Sequence, residues 1–168
     1  MKRPGISYLR RSLRDTRGQS LIVMAISLAG VMAVCGAGLE SGHVYYAYRL
    51  LVSSTNAATL AGAQTMSTAL LTATSSQIYT NDVDTAVQEY SSMTGGYNTS
   101  SFLHNAALTT TSLSCSTALK GTPFNVACVT PPGGSVGYNA ITVTQTAQVP
   151  LWFGGLLGMP MMTLAATS

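Results

Sequence analysis

The chain has 168 residues, eight basic and five acidic side chains, a net charge of +3 and 46% hydrophobic residues. Six of the eight basic residues fall in the first 17 positions, and past residue 39 only Arg49 and Lys120 face Glu40, Asp82, Asp84 and Glu89. That nearly neutral body offers no basic patch for nucleic acid, and its length allows one modest domain rather than two.

Lys2, Arg3, Arg10, Arg11, Arg14 and Arg17, opposed only by Asp15, make residues 1–17 a basic tail. The run over 18–39 that follows carries no charge. Roughly 20 apolar residues cross a bilayer once as a helix. The charge asymmetry predicts a cytoplasmic tail and an exported body over 40–168. A cleavable secretory signal has a shorter apolar run, roughly 7–15 residues. A lipid on Cys35 would need a small residue just before it, where Val34 stands. A retained anchor fits the length. Inside it Ala25, Ala29, Ala33 and Ala37 recur every four residues. Such a ridge lets helices approach closely in lipid, which makes it the candidate packing face, although alanines are common in single-pass anchors.

Beyond Glu40, Val44, Tyr48, Leu51, Thr55, Ala58 and Gly62 keep helical spacing. One helix is therefore predicted over 20–66, about 70 Å long. Tyr45, Tyr46 and Tyr48 fall where an interfacial aromatic belt belongs. Residues 69–80 read as a polar connector. A short second helix follows, capped by Thr80 or Asn81, with Asp82 and Asp84 complementing its dipole in the first turn. Its apolar face is Val83, Ala86, Val87 and Tyr90, and residues 94–96 end it. Two carboxylates without a ligand-rich loop read as helix-start residues rather than a cation site.

After residue 100 the period changes to that of strands, predicted over 108–115, 125–129, 140–149 and 161–166, with a Pro-Pro-Gly-Gly loop over 131–134. Between the last two strands, residues 151–157 concentrate apolar side chains, Trp152 and Phe153 among them. The stretch is too short to span a membrane. It either meets a partner or the membrane surface, or lies buried under its own sheet. The expected fold is α+β: a long transmembrane helix continuing into an exported domain whose small antiparallel sheet packs on that helix.

Cys115 and Cys128 have twelve residues between them and no zinc-ligand pattern around them. In an oxidising compartment they are expected to pair, contributing on the order of 3 kcal/mol. His43 and His104 stand without an acid or thiolate constellation, and no nucleophile elbow, phosphate loop or metal spacing occurs. No enzyme activity, cofactor or metal is expected.

The order of parts resembles the TadE/TadG-like proteins of the tight-adherence (Flp-type) pilus system. The residues that carry the resemblance are Arg17-Gly18, then Glu40, Gly42, Tyr45 or Tyr46, Arg49 and Leu51, then the Ala-rich stretch from Asn56 through Leu60 to Ala63. The ending from Val149 is similar to the Pro-x-x-Phe, Gly and alternating-strand close of that family. Glu40 stands where the family usually has Asp, and Val52 where Gln is common. Val23 occupies the position at which a cleaved pilin carries the glutamate that pairs with a neighbouring subunit's amine. The resemblance implies a pilin-like accessory protein, a minor pilin or assembly component nearest the TadG-like branch, in a bacterial inner membrane. Its implied partners are lipid, other pilus or assembly proteins through the transmembrane helix, and a second copy of itself. The alternative is a filament-forming or surface-displayed pilin whose long helix builds the filament core.

Overall fold

The computed structural model describes residues 16–120, 123 and 125–168. The basic residues before Thr16 lie outside the described residues, as does the side chain of Arg17. The fold is α+β. Helix α1 runs over Thr16–Thr72, α2 over Ser76–Tyr90 and a short α3 over Thr117–Lys120. Strands β1 (His104–Ser114), β2 (Ala140–Pro150) and β3 (Met161–Thr167) form one antiparallel sheet in the order β1-β2-β3. The chain divides into two compact units, one ending at Ser41 and one comprising Gly42–Ser168.

The unit ending at Ser41 is, over its described residues, helix alone. Leu21, Ile22, Val23, Met24, Ile26, Leu28, Val31, Met32, Val34 and Leu39 are all exposed on it.

The second unit is built on one stripe of the remainder of α1. Ala47, Leu51, Thr55, Ala58, Ala61, Met66 and Ala69 are buried at intervals of three to five residues, the rhythm of one helix face. Most are small, so other elements come close. Ala47 and Leu51 pack with Leu103, Ala147, Val149, Leu164 and Ala166, while Ala58, Met66, Ala69 and Ala73 pack with Tyr79, Val83, Val87 and Val143. β2 therefore runs back along α1, from Val143 beside the later turns to Val149 beside the earlier ones. Its inward residues Val143, Gln145, Ala147 and Val149 are buried, and the residues between them are partly exposed, as period-two alternation requires.

Three expectations are corrected. The helix does not stop at 66, and 69–80 is no connector; only residues 73–75 separate α1 from α2. The hydroxyls of Thr59, Thr65, Thr68 and Thr72 each donate to a carbonyl four residues back. The side chains thus use spare acceptor capacity of the helix instead of opposing it. The start of α2 moves accordingly. Ser75, not Thr80 or Asn81, is its N-cap and accepts from Ile78 N–H at 3.3 Å. Asp82 and Asp84 therefore lie in mid-helix, the first turn holds no acid, and burial raises the Asp84 carboxyl above its ordinary pKa. Shifting the start brings Tyr79 onto the buried face with Val83 and Val87 and leaves Tyr90 exposed.

The third correction concerns 125–129, which forms no strand and contributes a single isolated bridge, Val129 to Tyr138. Asn125 has φ +46°, outside the extended region. The Val126 carbonyl accepts from the Asn139 side chain, which also bonds both backbone groups of Ser116. A carbonyl held by a side chain is not offered to a ladder. Strands over 140–149 and 161–166 stand with small changes of bounds, and β1 begins four residues before the expected 108.

On α1 the sheet and α2 come close at Gly62. A Cβ there would lie 2.6 Å from Ile141 Cδ1 and 2.7 Å from Val87 Cγ2. Gly62→Val should therefore lower stability by about 1–3 kcal/mol through overpacking, seen as an earlier urea midpoint for the full chain in detergent. Gly42→Ala, where nothing lies within 4 Å, should leave the midpoint unchanged or raise it.

Tyr79 offers a pH handle. Burial, then the Tyr138 phenol stacked beside it at 6.2 Å, raises its pKa above the ordinary value of 10.0. The folded state then keeps a proton that the unfolded chain releases. Stability holds below the unfolded phenol's pKa and falls as pH rises through about 10. Unfolding midpoints across the alkaline range should fall accordingly, and Tyr79→Phe should flatten that fall.

Candidate interaction surface

Cys115 and Cys128 form a disulfide with Cα atoms 5.6 Å apart, and Cys35 is a free, exposed cysteine. Ala25, Ala29, Ala33 and Ala37 are exposed on the unit ending at Ser41. The residues of the Gly42–Ala63 stretch divide into two kinds. Leu51, Ala58, Ala61 and Gly62 are buried in the packing stripe, whereas Gly42, Tyr45, Arg49, Asn56 and Leu60 are exposed. Glu40 is half-buried.

The feature that is neither core nor ordinary polar surface is the connection from β2 to β3. Residues 151–160 fold as a tight tip around a 3-10 turn, Gly154–Leu157. Leu151 N–H donates to Pro160 O at 2.8 Å, Met159 N–H to Gly154 O at 2.9 Å and Leu156 N–H to Phe153 O at 3.1 Å. Gly158 closes the turn with φ +81°, a conformation glycine adopts without strain. Gly154 is enclosed; a Cβ would lie 2.8 Å from the Leu151 side chain and from Met159 O.

The side chains on this tip are not buried under the sheet. Trp152 is 65% exposed, Leu156 83%, Leu157 78% and Met159 58%, with Phe153, Met161 and Met162 also exposed. Burial beneath the domain is therefore excluded as the role of 151–157. The geometric reason is the sheet's register: Pro150 pairs with Met161, so residues 151–160 project beyond the last rung of the sheet.

Trp152 brings the tip against α1. The Trp152 ring stacks on His43 with centroids 4.9 Å apart and planes at 24°. Phe102 packs against the other rings, 5.7 Å from His43 and edge-on to Tyr46 at 5.4 Å. Nε2 of His43 is buried without a hydrogen-bond partner among the described residues. Sequence reading singled out residues 151–157, with Trp152 and Phe153 among them, but missed His43, Phe102 and Met159 as their company. The apolar run was visible in composition; the approach of residue 102 to residue 43 was not. Among the described residues no three His, Cys, Asp or Glu side chains gather as metal ligands, so what this surface offers is apolar and aromatic contact.

The described residues thus form a long helix, uncharged over 18–39, whose later part carries a small sheet with a disulfide beside it and an apolar tip. The chain belongs to the Tad-like Flp pilus-assembly family, whose sequence profile it matches over residues 49–168. This is a family of pilus-assembly components, not of enzymes. The match begins at Arg49 and takes in the greater part of the packing stripe, the whole sheet and the tip. No curated protein and no solved structure matches the chain.

Removing the ring beneath Trp152 should be felt locally. His43→Ala is expected to red-shift Trp152 emission and weaken its near-UV circular dichroism. The cost in stability should be no more than about 1.5 kcal/mol, the range of one aromatic pair.

Proposed function

We propose that this protein is a single-pass, membrane-anchored, pilin-like accessory component of a tight-adherence pilus, a minor pilin or assembly protein nearest the TadG-like branch. Its N-terminus is cytoplasmic and residues 40–168 lie in the periplasm or outside the cell. One observation carries this beyond the family match. The apolar residues from Leu21 to Leu39 are exposed on their helix, and this is a helix long and apolar enough to cross a membrane. A water-facing surface of that size is untenable, so lipid, or the helices of other pilus components in lipid, is its proper surrounding. Ala25, Ala29, Ala33 and Ala37 form the ridge through which such helices approach. The disulfide between Cys115 and Cys128 suits an oxidising compartment.

Val23 favours a permanent tether over a filament core, because it supplies no carboxylate to pair with a neighbouring subunit's amine inside the bilayer. Expressed in its bacterial setting, the full chain should remain in membranes through an alkaline carbonate wash and retain residues before Gln19 by intact mass. Protease added outside spheroplasts should remove the body beyond Glu40. A mature N-terminus at Gln19 would instead establish the filament-forming pilin, and release by carbonate would refute the anchor.

A further inference from the structure

We infer that the β2–β3 tip is a membrane foot: Trp152, Leu156, Leu157 and Met159 seat in the headgroup–acyl boundary beside the point where α1 leaves the bilayer. This rests on the anchored reading above and assigns the surface an occupant, lipid, that the anchor alone does not require.

Position is the first argument. Within the Gly42–Ser168 unit, β2 runs back along α1 so that Val149 packs with Ala47 and Leu51, and Trp152 then reaches His43. His43 stands four residues beyond Leu39, the last residue of the uncharged run, which is about 6 Å of helix. By chain distance along the helix, His43 therefore falls where a membrane interface is expected. Amphipathic rings concentrate at that depth, and here His43, Tyr46, Phe102 and Trp152 stand together.

Charge is the second. No charged residue occurs after Lys120, so neither the tip nor the two strands that carry it would bring an ion into lipid. The backbone is the third. Several peptide groups of the tip are already bonded inside it, Leu151 to Pro160, Met159 to Gly154, Leu156 to Phe153 and Gly158 to Gly155. Apolar surroundings penalise unpaired peptide groups, and a tip bonded internally enters them at reduced cost. A protein partner adding a strand would want the opposite, free backbone groups. Apolar contact without cationic side chains also implies that neutral lipid suffices and that salt has no effect.

Trp152 is the only tryptophan, so it reports on the foot without labelling. The full chain would be reconstituted in phosphatidylcholine vesicles, with or without lipids brominated near the headgroup, and Trp152 emission followed with iodide as the aqueous quencher. The expected result is strong quenching by brominated lipid and weak quenching by iodide, unchanged by salt or dilution in lipid. Leu156→Ser with Leu157→Ser should shift the emission to the red and restore iodide quenching while the chain stays in the vesicles and keeps its circular dichroism. If carbonate-resistant chain shows Trp152 open to iodide and untouched by brominated lipid, the foot is refuted and the anchor stands. If both quenchers fail, and iodide regains access as the protein is diluted in lipid, a second copy covers the tip and the foot is refuted. Chain that washes off the vesicles refutes the anchor, and the foot with it.

Discussion

The Gly42–Ser168 unit depends on how closely other elements can approach one face of α1. That face is lined by alanine, threonine and glycine, with Leu51 and Met66 as its large side chains. Close packing of small side chains contributes through many short contacts rather than through a few bulky residues. It also makes the interface sensitive to single atoms, as the space at Gly62 between Ile141 and Val87 shows. Leu51, fully buried, supplies roughly 1.5–3 kcal/mol of apolar burial by itself, but it does so only because Ala47 and Ala58 let the sheet reach it.

From that contact the rest follows. With β2 lying along the helix, its alternation places Val143, Gln145, Ala147 and Val149 inward. Gln145 is the one polar member of the row, and its Oε1 accepts from both the backbone N–H and the hydroxyl of Ser92. That pair ties the turn after α2 to the middle of the sheet, and a buried amide needs such partners. On the outward side the strands are joined by polar side chains, with Thr109 bonded to Thr146, Thr144 to Thr167 and Asn105 to Gln148. The disulfide holds Cys128 to Cys115, the Asn139 amide holds Ser116 and Val126, and Val129 adds one bridge to Tyr138.

Family membership and geometry bear on different parts of the molecule. The matched region begins at Arg49, so it takes in most of the packing stripe, the sheet and the tip, while the apolar run lies before it. The aromatic cluster brings together residues far apart in the sequence of the Gly42–Ser168 unit, His43 with Trp152.

By itself the sequence determined the α+β class, the continuous helix through Gly62, three of the strands and the cysteine pair. Each rests on a local signal, whether periodicity, charge distribution or compartment chemistry. The tertiary structure alone decided the rest. Ser75 rather than Asn81 begins α2 because Tyr79 has a place in the core. Residues 125–129 lose their strand because an amide fourteen positions after Asn125 captures their carbonyl. The tip is exposed because the sheet's register carries it beyond the last rung. Hydrophobicity in residues 151–157 was legible from composition. Whether those side chains face inward or outward depends on what lies opposite them, and that is set by packing between residues far apart in the chain, not by any local pattern.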